Sequence, residues 1–358
     1  MTTFFQRTAV RLVLSFALSV WSAAAIRATP VVERTDSFTA PGNAVQMEYA
    51  PDYGLLFLRN SGSAVHVVDV ATRQRIDLRL ATETFTDFDL TGDQRYLYAA
   101  DYGGTRTGYG DPIRPSLVQR FDLQTRTWET RTAPWVVFRI EGVNAERYLV
   151  QEIDQHVDMM LNSWEATQSR ELSRIRADYY GDFEYDDRLG RIYHGSSGSS
   201  SSEIHVRRLV GDVLVSAGDT GTYGTADSGG GSSVLSTDGE RFYYGRLQVE
   251  ALDVRNNLRF FPEIIRAATG DIAFGNAAYY DAHTGEELGT YGFQASAITV
   301  SDDGREMWAF DQSTNQLHRY RIHTVPVPEP TSAAILVAAM ACASVCRFVG
   351  RRTHETAN

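Results

Sequence analysis

Asp238-Gly239-Glu240-Arg241-Phe242-Tyr243-Tyr244 runs a tight turn straight into a strand of bulky apolar residues, and the same join returns along the chain. It stands earlier as Asp52-Tyr-Gly-Leu-Leu-Phe57, Gly92-Asp-Gln-Arg-Tyr-Leu-Tyr98 and Asn144-Ala-Glu-Arg-Tyr-Leu-Val150. It stands again as Asp187-Arg-Leu-Gly-Arg-Ile-Tyr193 and Asp303-Gly-Arg-Glu-Met-Trp308. Asp or Asn beside Gly suits a hairpin turn, where φ turns positive or a side chain bonds the backbone. Apolar residues on successive positions suit a strand buried on both faces.

A second part follows most copies. It is an alternating strand that ends in an Asp-x-x-Thr turn: Val65-His-Val-Val-Asp-Val-Ala-Thr72, Val118-Gln-Arg-Phe-Asp-Leu-Gln-Thr125 and Ala278-Tyr-Tyr-Asp-Ala-His-Thr284. A weaker copy is Met160-Leu-Asn-Ser-Trp-Glu-Ala-Thr167, with Trp164 at the Asp position. The middle residues of the aromatic strands are Leu56, Leu97, Leu149, Ile192, Tyr243 and Trp308, at intervals of 41, 52, 43, 51 and 65. A four-stranded propeller blade takes about 40–50 residues, so the pattern predicts an all-β chain folded as a β-propeller. Six repeats are recognisable and six or seven blades are expected, because the 65-residue interval has room for a degenerate unit around Ile272 to Thr284. Val31 to Phe38 is a strand without a unit, and the last unit, ending at Leu317 to Ile322, lacks its outer strand. The two are expected to pair and close the ring. Leu258 to Ala268, entered through Pro262, reads as one short helix.

These repeats resemble the YVTN-type and quinoprotein-like propellers, whose blades carry a similar turn, strand and Asp-x-x-Thr arrangement over most of residues 40–325. No unit holds the Gly-His and Trp-Asp pair of WD40 blades.

Both ends of the chain differ from the middle. Arg7 and Arg11 precede an uncharged run from Leu12 to Ala25, which closes on Ala23-Ala24-Ala25. That is the layout of a secretory signal peptide, assigned to residues 1–28, with a retained N-terminal anchor as the alternative. At the other end Pro326, Pro328 and Pro330 alternate, and proline in that density makes a stiff extended spacer. Thr331 to Cys346 then carries no charge, and Arg347, Arg351 and Arg352 follow. A span needs about 20 residues, which residues 331–350 supply, and the arginines predict a cytoplasmic end at 351–358. The Val327-Pro328-Glu329-Pro330 motif, apolar helix and Arg351-Arg352 pair resemble the PEP-CTERM sorting signal; a plain anchor helix is the alternative. The resemblance implies an exosortase, a membrane-embedded cysteine transpeptidase, as processing partner. It also implies a cell-surface or extracellular-matrix location among bacteria that make extracellular polysaccharide. It says nothing of the activity of residues 29–325, the body of the protein.

That body contains no cysteine, since Cys342 and Cys346 both lie in the tail, so its core alone must hold it. It contains 28 Arg and no Lys against 43 Asp and Glu, a net charge near −15. Such a surface repels phosphate backbones and argues against nucleic acid as a partner. Asp182, Glu184 and Asp186 alternate, so in a strand they share one face and make a candidate Ca²⁺ site; the alternative is an acidic face turned to solvent. The eight histidines lack metal-ligand spacing, Gly195-Ser-Ser-Gly-Ser misses the nucleophile-elbow spacing by one residue, and no phosphate-binding loop is present. No catalytic residue is therefore assigned. The expected function is an exported propeller that binds polysaccharide or a surface protein. The alternative is a polysaccharide lyase or hydrolase with carboxylates in the propeller pocket.

Overall fold

The computed structural model describes residues 29–102, 116–133, 135–152, 157–177, 181–196, 203–220 and 232–325. The segments expected to be a signal peptide and a sorting tail, with Val327 to Pro330 and Arg351-Arg352, lie outside these residues. Among the described residues no helix is long and apolar enough to cross a membrane. Contacts divide the chain into a unit at Val32–Ile322, which carries the ring, and a second unit made of the two chain ends.

Seven antiparallel sheets of four strands each form a β-propeller. The first strand, β1 (Thr29–Thr39), belongs to the last blade. Blade 1 is β2 (Gln46–Ala50), β3 (Leu55–Arg59), β4 (Ala64–Asp69) and β5 (Gln74–Leu80). Blade 2 is β6 (Phe85–Leu90), β7 (Tyr96–Asp101), β8 (Leu117–Asp122) and β9 (Thr127–Thr132). Blade 3 is β10 (Arg139–Asn144), β11 (Arg147–Gln151), β12 (Asp158–Trp164) and β13 (Ser169–Arg176). Blade 4 is β14 (Gly181–Asp186), β15 (Arg191–Ser196), β16 (Ile204–Val210) and β17 (Val213–Asp219). Blade 5 is β18 (Ser233–Leu235), β19 (Arg241–Tyr244), β20 (Leu247–Glu250) and β21 (Asn257–Phe260). Blade 6 is β22 (Ile265–Ala268), β23 (Ile272–Gly275), β24 (Ala278–Asp281) and β25 (Glu287–Thr290). Blade 7 is β26 (Ala295–Val300), β27 (Glu306–Asp311) and β28 (Gln316–Val325), with β1 beside β28 as its outer strand.

The aromatic strand of the repeat is the second strand of its blade. Leu55 to Leu58, Leu97 to Ala100 and Met307 to Phe310 are all fully buried, as a strand packed on both faces must be. Each Leu, Phe or Met among them contributes about 1.5–3 kcal/mol on burial. The turns follow from composition. Thr91, Ser236 and Ser301 each donate a hydroxyl to an Asp two residues on, at 2.6, 2.6 and 2.7 Å. Each also accepts the backbone N–H five residues on, so one side chain pins both arms of the first hairpin.

Blade 6 is the degenerate unit. Its strands β22 to β25 are four residues each, and β23 reads Ile-Ala-Phe-Gly, without the paired aromatics of its neighbours. The helix expected over Leu258 to Ala268 is instead the outer strand of blade 5 and the inner strand of blade 6. Pro262 sits in the connection between them, where it cuts the segment into two short pieces that pair with different sheets. Closure of the ring occurs as expected: the Ala40 N–H donates to the Asn315 carbonyl at 3.0 Å, and Thr35 Oγ1 to the Arg319 carbonyl at 3.3 Å. Phe38 on β1 meets the Trp308 ring edge-on at 5.9 Å, so the N-terminal strand also completes an inter-blade core.

Candidate functional site

The inner strands β2, β6, β10, β14, β18, β22 and β26 follow one another around the axis, and β26 returns to β2. They enclose a cavity of about 700 Å³. Strand alternation sends every second side chain of an inner strand into an inter-blade core and leaves its neighbours to line the cavity. On β2 Met47 and Tyr49 are buried, while Gln46 and Glu48 line the cavity.

Two levels result. At the first, a chain of polar contacts passes from blade to blade. Gln46 Nε2 donates to Asp87 Oδ1 at 2.8 Å, and Arg59 Nε donates to Gln46 Oε1 at 2.8 Å. Arg139 stands 3.8 Å from Asp87 and 3.4 Å from Asp182, and Asp182 Oδ2 accepts the Ser233 N–H at 2.9 Å. Arg266 of blade 6 lines the same level and donates its Nε to Asn276 at 3.0 Å.

The second level is acidic. Glu48, Asp89, Glu141 and Glu184 come from the inner strands of four consecutive blades. Asp89 Oδ2 accepts the Gly142 N–H at 2.8 Å. Enclosure in the ring pushes Asp89 up to about 8, with Asp87 adding to the rise and the Gly142 N–H opposing it. Burial also holds Glu48, Glu141 and Glu184 well above the usual carboxylate range; Asp89 repels the first two further, and Asp182 the third. The side formed by blades 5 to 7 is mixed: Ser233, Arg266, Ser296 and Thr299 line it beside Leu235 and Val300.

The first hairpins of the blades narrow one end of the cavity. Gln94 of blade 2 reaches past blade 1 to hydrogen-bond Asp302 of blade 7. Gly92 of blade 2 lies against the Asp187 carboxylate of blade 4, so any Cβ there meets that side chain.

Asp182 and Glu184 of the candidate Ca²⁺ site line this cavity and do not face outside solvent. The Asp186 carboxylate is fully enclosed and taken by Arg188, whose backbone N–H and Nε reach Oδ1 at 3.1 and 3.0 Å. Among the described residues no three His, Cys, Asp or Glu side chains gather closely enough to hold a metal ion. Glu48, Asp89 and Glu141 were missed as site residues. A signal for them exists: each stands eight residues before the middle of its aromatic strand, at Leu56, Leu97 and Leu149, and Glu184 stands eight before Ile192.

No protein-family model and no curated protein matches the chain. The fold is similar to the solved β-propeller domain of Cps50 (Swd1) from Myceliophteria thermophila, with a TM-score of 0.60 and 12% identity, over 81% of this chain and 99% of that one. At that identity the likeness shows the propeller fold alone.

Proposed function

We propose that this protein is an exported propeller that works by binding at the cell surface or in the extracellular matrix, with the central cavity as its ligand site. The observation that carries the binding role is the cavity itself: about 700 Å³, lined by carboxyls from blades 1 to 4 and by Arg59, Arg139 and Arg266. Concave sites with a few convergent polar groups are where propellers and other ring folds take ligands. Export rests on the signal-peptide pattern at residues 1–28. Sorting rests on the Val327-Pro328-Glu329-Pro330 motif with Arg351-Arg352, which places an exosortase among the partners and the membrane at the tail until processing.

The test is co-sedimentation of the full-length protein with extracellular polysaccharide of the producing cells, with Ca²⁺ and then with chelator. Pelleting in both conditions supports matrix binding without a metal. Pelleting that needs Ca²⁺ returns Asp182 and Glu184 to a metal role. Absence of pelleting in either condition overturns the matrix reading.

One observation favours a second reading, a polysaccharide lyase or hydrolase. Asp89 raised to about 8 beside Glu141 has the poise of a general acid at neutral pH. Loss of polymer chain length during the same incubation selects this reading.

A further inference from the structure

Four of the first hairpins touch one another across the blades that lie between them. Gln94 of blade 2 passes blade 1 to bond Asp302 of blade 7. Gly92 of the same hairpin passes blade 3 to lie against the Asp187 carboxylate of blade 4. Beside Asp187, the Arg188 Nη1 lies 3.5 Å from the Thr237 carbonyl of blade 5. Gly304 of blade 7 passes blade 6, and a Cβ on it would stand 3.2 Å from Thr237 Oγ1. The circuit through blades 2, 4, 5 and 7 therefore closes on itself. Four touching members enclose far less space than seven inner strands do, and Gly92, Asp187, Thr237 and Asp302 all line the cavity.

The blade 2 hairpin departs from its sisters in a way that serves this circuit. Blades 5 and 7 turn through Ser236-Thr-Asp-Gly239 and Ser301-Asp-Asp-Gly304, with both glycines at φ 67°. Blade 2 turns through Thr91-Gly-Asp-Gln94, and Gln94 takes the same left-handed conformation at φ 54°. A side chain is strained there and glycine is not, so the turn by itself would favour glycine. Only a long side chain spans to blade 7, and Gln94 is 7% exposed although it stands in a hairpin turn. The glycine of this hairpin sits instead at 92, where the absent side chain leaves room for the Asp187 carboxylate.

At the opposite end the contacts join adjoining blades, and so run around the cavity rather than across it. Gln46 bonds Asp87, Asp182 accepts the Ser233 N–H, and Ser296 Oγ donates to the Ala44 carbonyl at 2.8 Å. We propose that the hairpins of blades 2, 4, 5 and 7 form a belt that closes one end of the cavity, so that a ligand enters and leaves only at the other end, past Gln46, Arg59 and Ser296. Strand β28 leaves the ring at the closed end, where the Ile322 N–H donates to the Arg305 carbonyl at 2.7 Å. The entrance thus turns away from the point where the chain leaves its last blade.

A tethered photoprobe tests this without any ligand of the protein, so the result is independent of the matrix reading. Glu48→Cys puts a thiol inside the cavity of the full-length protein, with Cys342→Ser and Cys346→Ser removing the native thiols. The thiol is coupled to a maleimide that carries a benzophenone on a linker longer than the cavity. Light then marks the residues beside the linker's outer end, and mass spectrometry locates them. Marks are expected at the entrance, around Val45, Ser232 and Ser296. Marks on the hairpins, around Asp93, Leu189, Glu240 or Asp303, overturn the proposal, and so does failure of the thiol to couple. Glu184→Cys repeats the test from blade 4 should the first variant not fold. Gln94→Gly measures the belt directly: it is expected to lower the melting temperature by a few degrees, and a rise would mean that Gln94 serves the turn alone.

Discussion

The two sides of one inner strand have opposite energetics. On β2, Met47 and Tyr49 point into the core shared with blade 7, where Tyr49 meets the Trp308 ring at 5.9 Å. The residues between them, Gln46 and Glu48, line the cavity, and Glu48 is driven toward its neutral form. Blades 2, 3 and 4 repeat the arrangement, with Phe88, Ile140 and Phe183 buried and Asp89, Glu141 and Glu184 on the axis. The core side stabilises the ring. The cavity side costs stability, because ionised carboxyls there lose water and repel one another. A fold that keeps such a wall keeps it against its own stability, which is the pattern expected of a working site.

The largest test is on the core side. Trp308→Ala removes the ring that Phe38 and Tyr49 both meet edge-on, and the site is fully buried. A loss of about 3–5 kcal/mol is expected in urea unfolding. Since Phe38 belongs to β1, the same variant should loosen ring closure, read as faster amide exchange in β1 and β28. A loss under 1 kcal/mol would mean that the core side does not carry the ring.

On the cavity side the sign reverses. Asp89→Asn keeps an acceptor for the Gly142 N–H and removes a charge, so it should raise stability at pH 8 by on the order of 1–2 kcal/mol. The pH dependence follows from the direction of the shift. Asp89 has a folded pKa above its unfolded one, about 8 against the ordinary carboxylate value. Its contribution is full below about pH 4 and is lost as pH rises through about 8. Unfolding followed from pH 4 to 9 should show this slope in the native protein and a smaller one in Asp89→Asn. An unchanged slope would mean that the wall stays fully solvated and pays no cost.

A smaller effect of opposite pH sign comes from blade 4. His194 is buried, and its Nε2 lies 2.7 Å from Gln151 Nε2. Burial lowers its pKa well below the ordinary value, and the neighbouring His205 and Arg207 lower it further. Its contribution is present above about pH 6.5 and is lost as pH falls toward the folded value. His194→Gln should therefore flatten the acid side of the stability curve and leave the alkaline side as it was.

How much of this was legible in the sequence depends on distance along the chain. The aromatic strands are local: Leu55 to Leu58 or Phe242 to Tyr244 announce a doubly buried strand within four residues. Six blades could be found that way, and blade 6 was blurred because Ile272-Ala-Phe-Gly is short and half small. The cavity is not local. Its acidic level takes one residue from each of four blades, and ring closure alone brings them to a common axis. Each inner strand by itself, such as Thr86-Asp87-Phe88-Asp89, alternates like a strand with one wet face. The Asp182, Glu184, Asp186 run is legible because it is local, and taken alone it reads as a separate site. Two of its residues join carboxyls from other blades, and Asp186 is taken by Arg188.

The smallest expected effect belongs to neither side and sets the scale for both. Four Asp-led turns place their fifth residue in the left-handed region: Arg73 at φ 59°, Arg126 at 57°, Gly285 at 76° and Asn315 at 55°. In the Asp122 turn, Oδ1 accepts the Gln124 and Thr125 N–H groups at 2.8 and 3.0 Å and fixes that conformation whatever residue follows. A side chain at this φ costs roughly 1–2 kcal/mol, which glycine avoids, while glycine adds unfolded-chain entropy of roughly 0.5–1 kcal/mol. Arg126→Gly should therefore raise stability by about 0.5 kcal/mol, at any pH between 5 and 8, because no titrating group takes part. A gain as large as that of Asp89→Asn would remove the distinction between axis and rim. A near-zero change would leave the cavity wall as the place where this ring gives up stability.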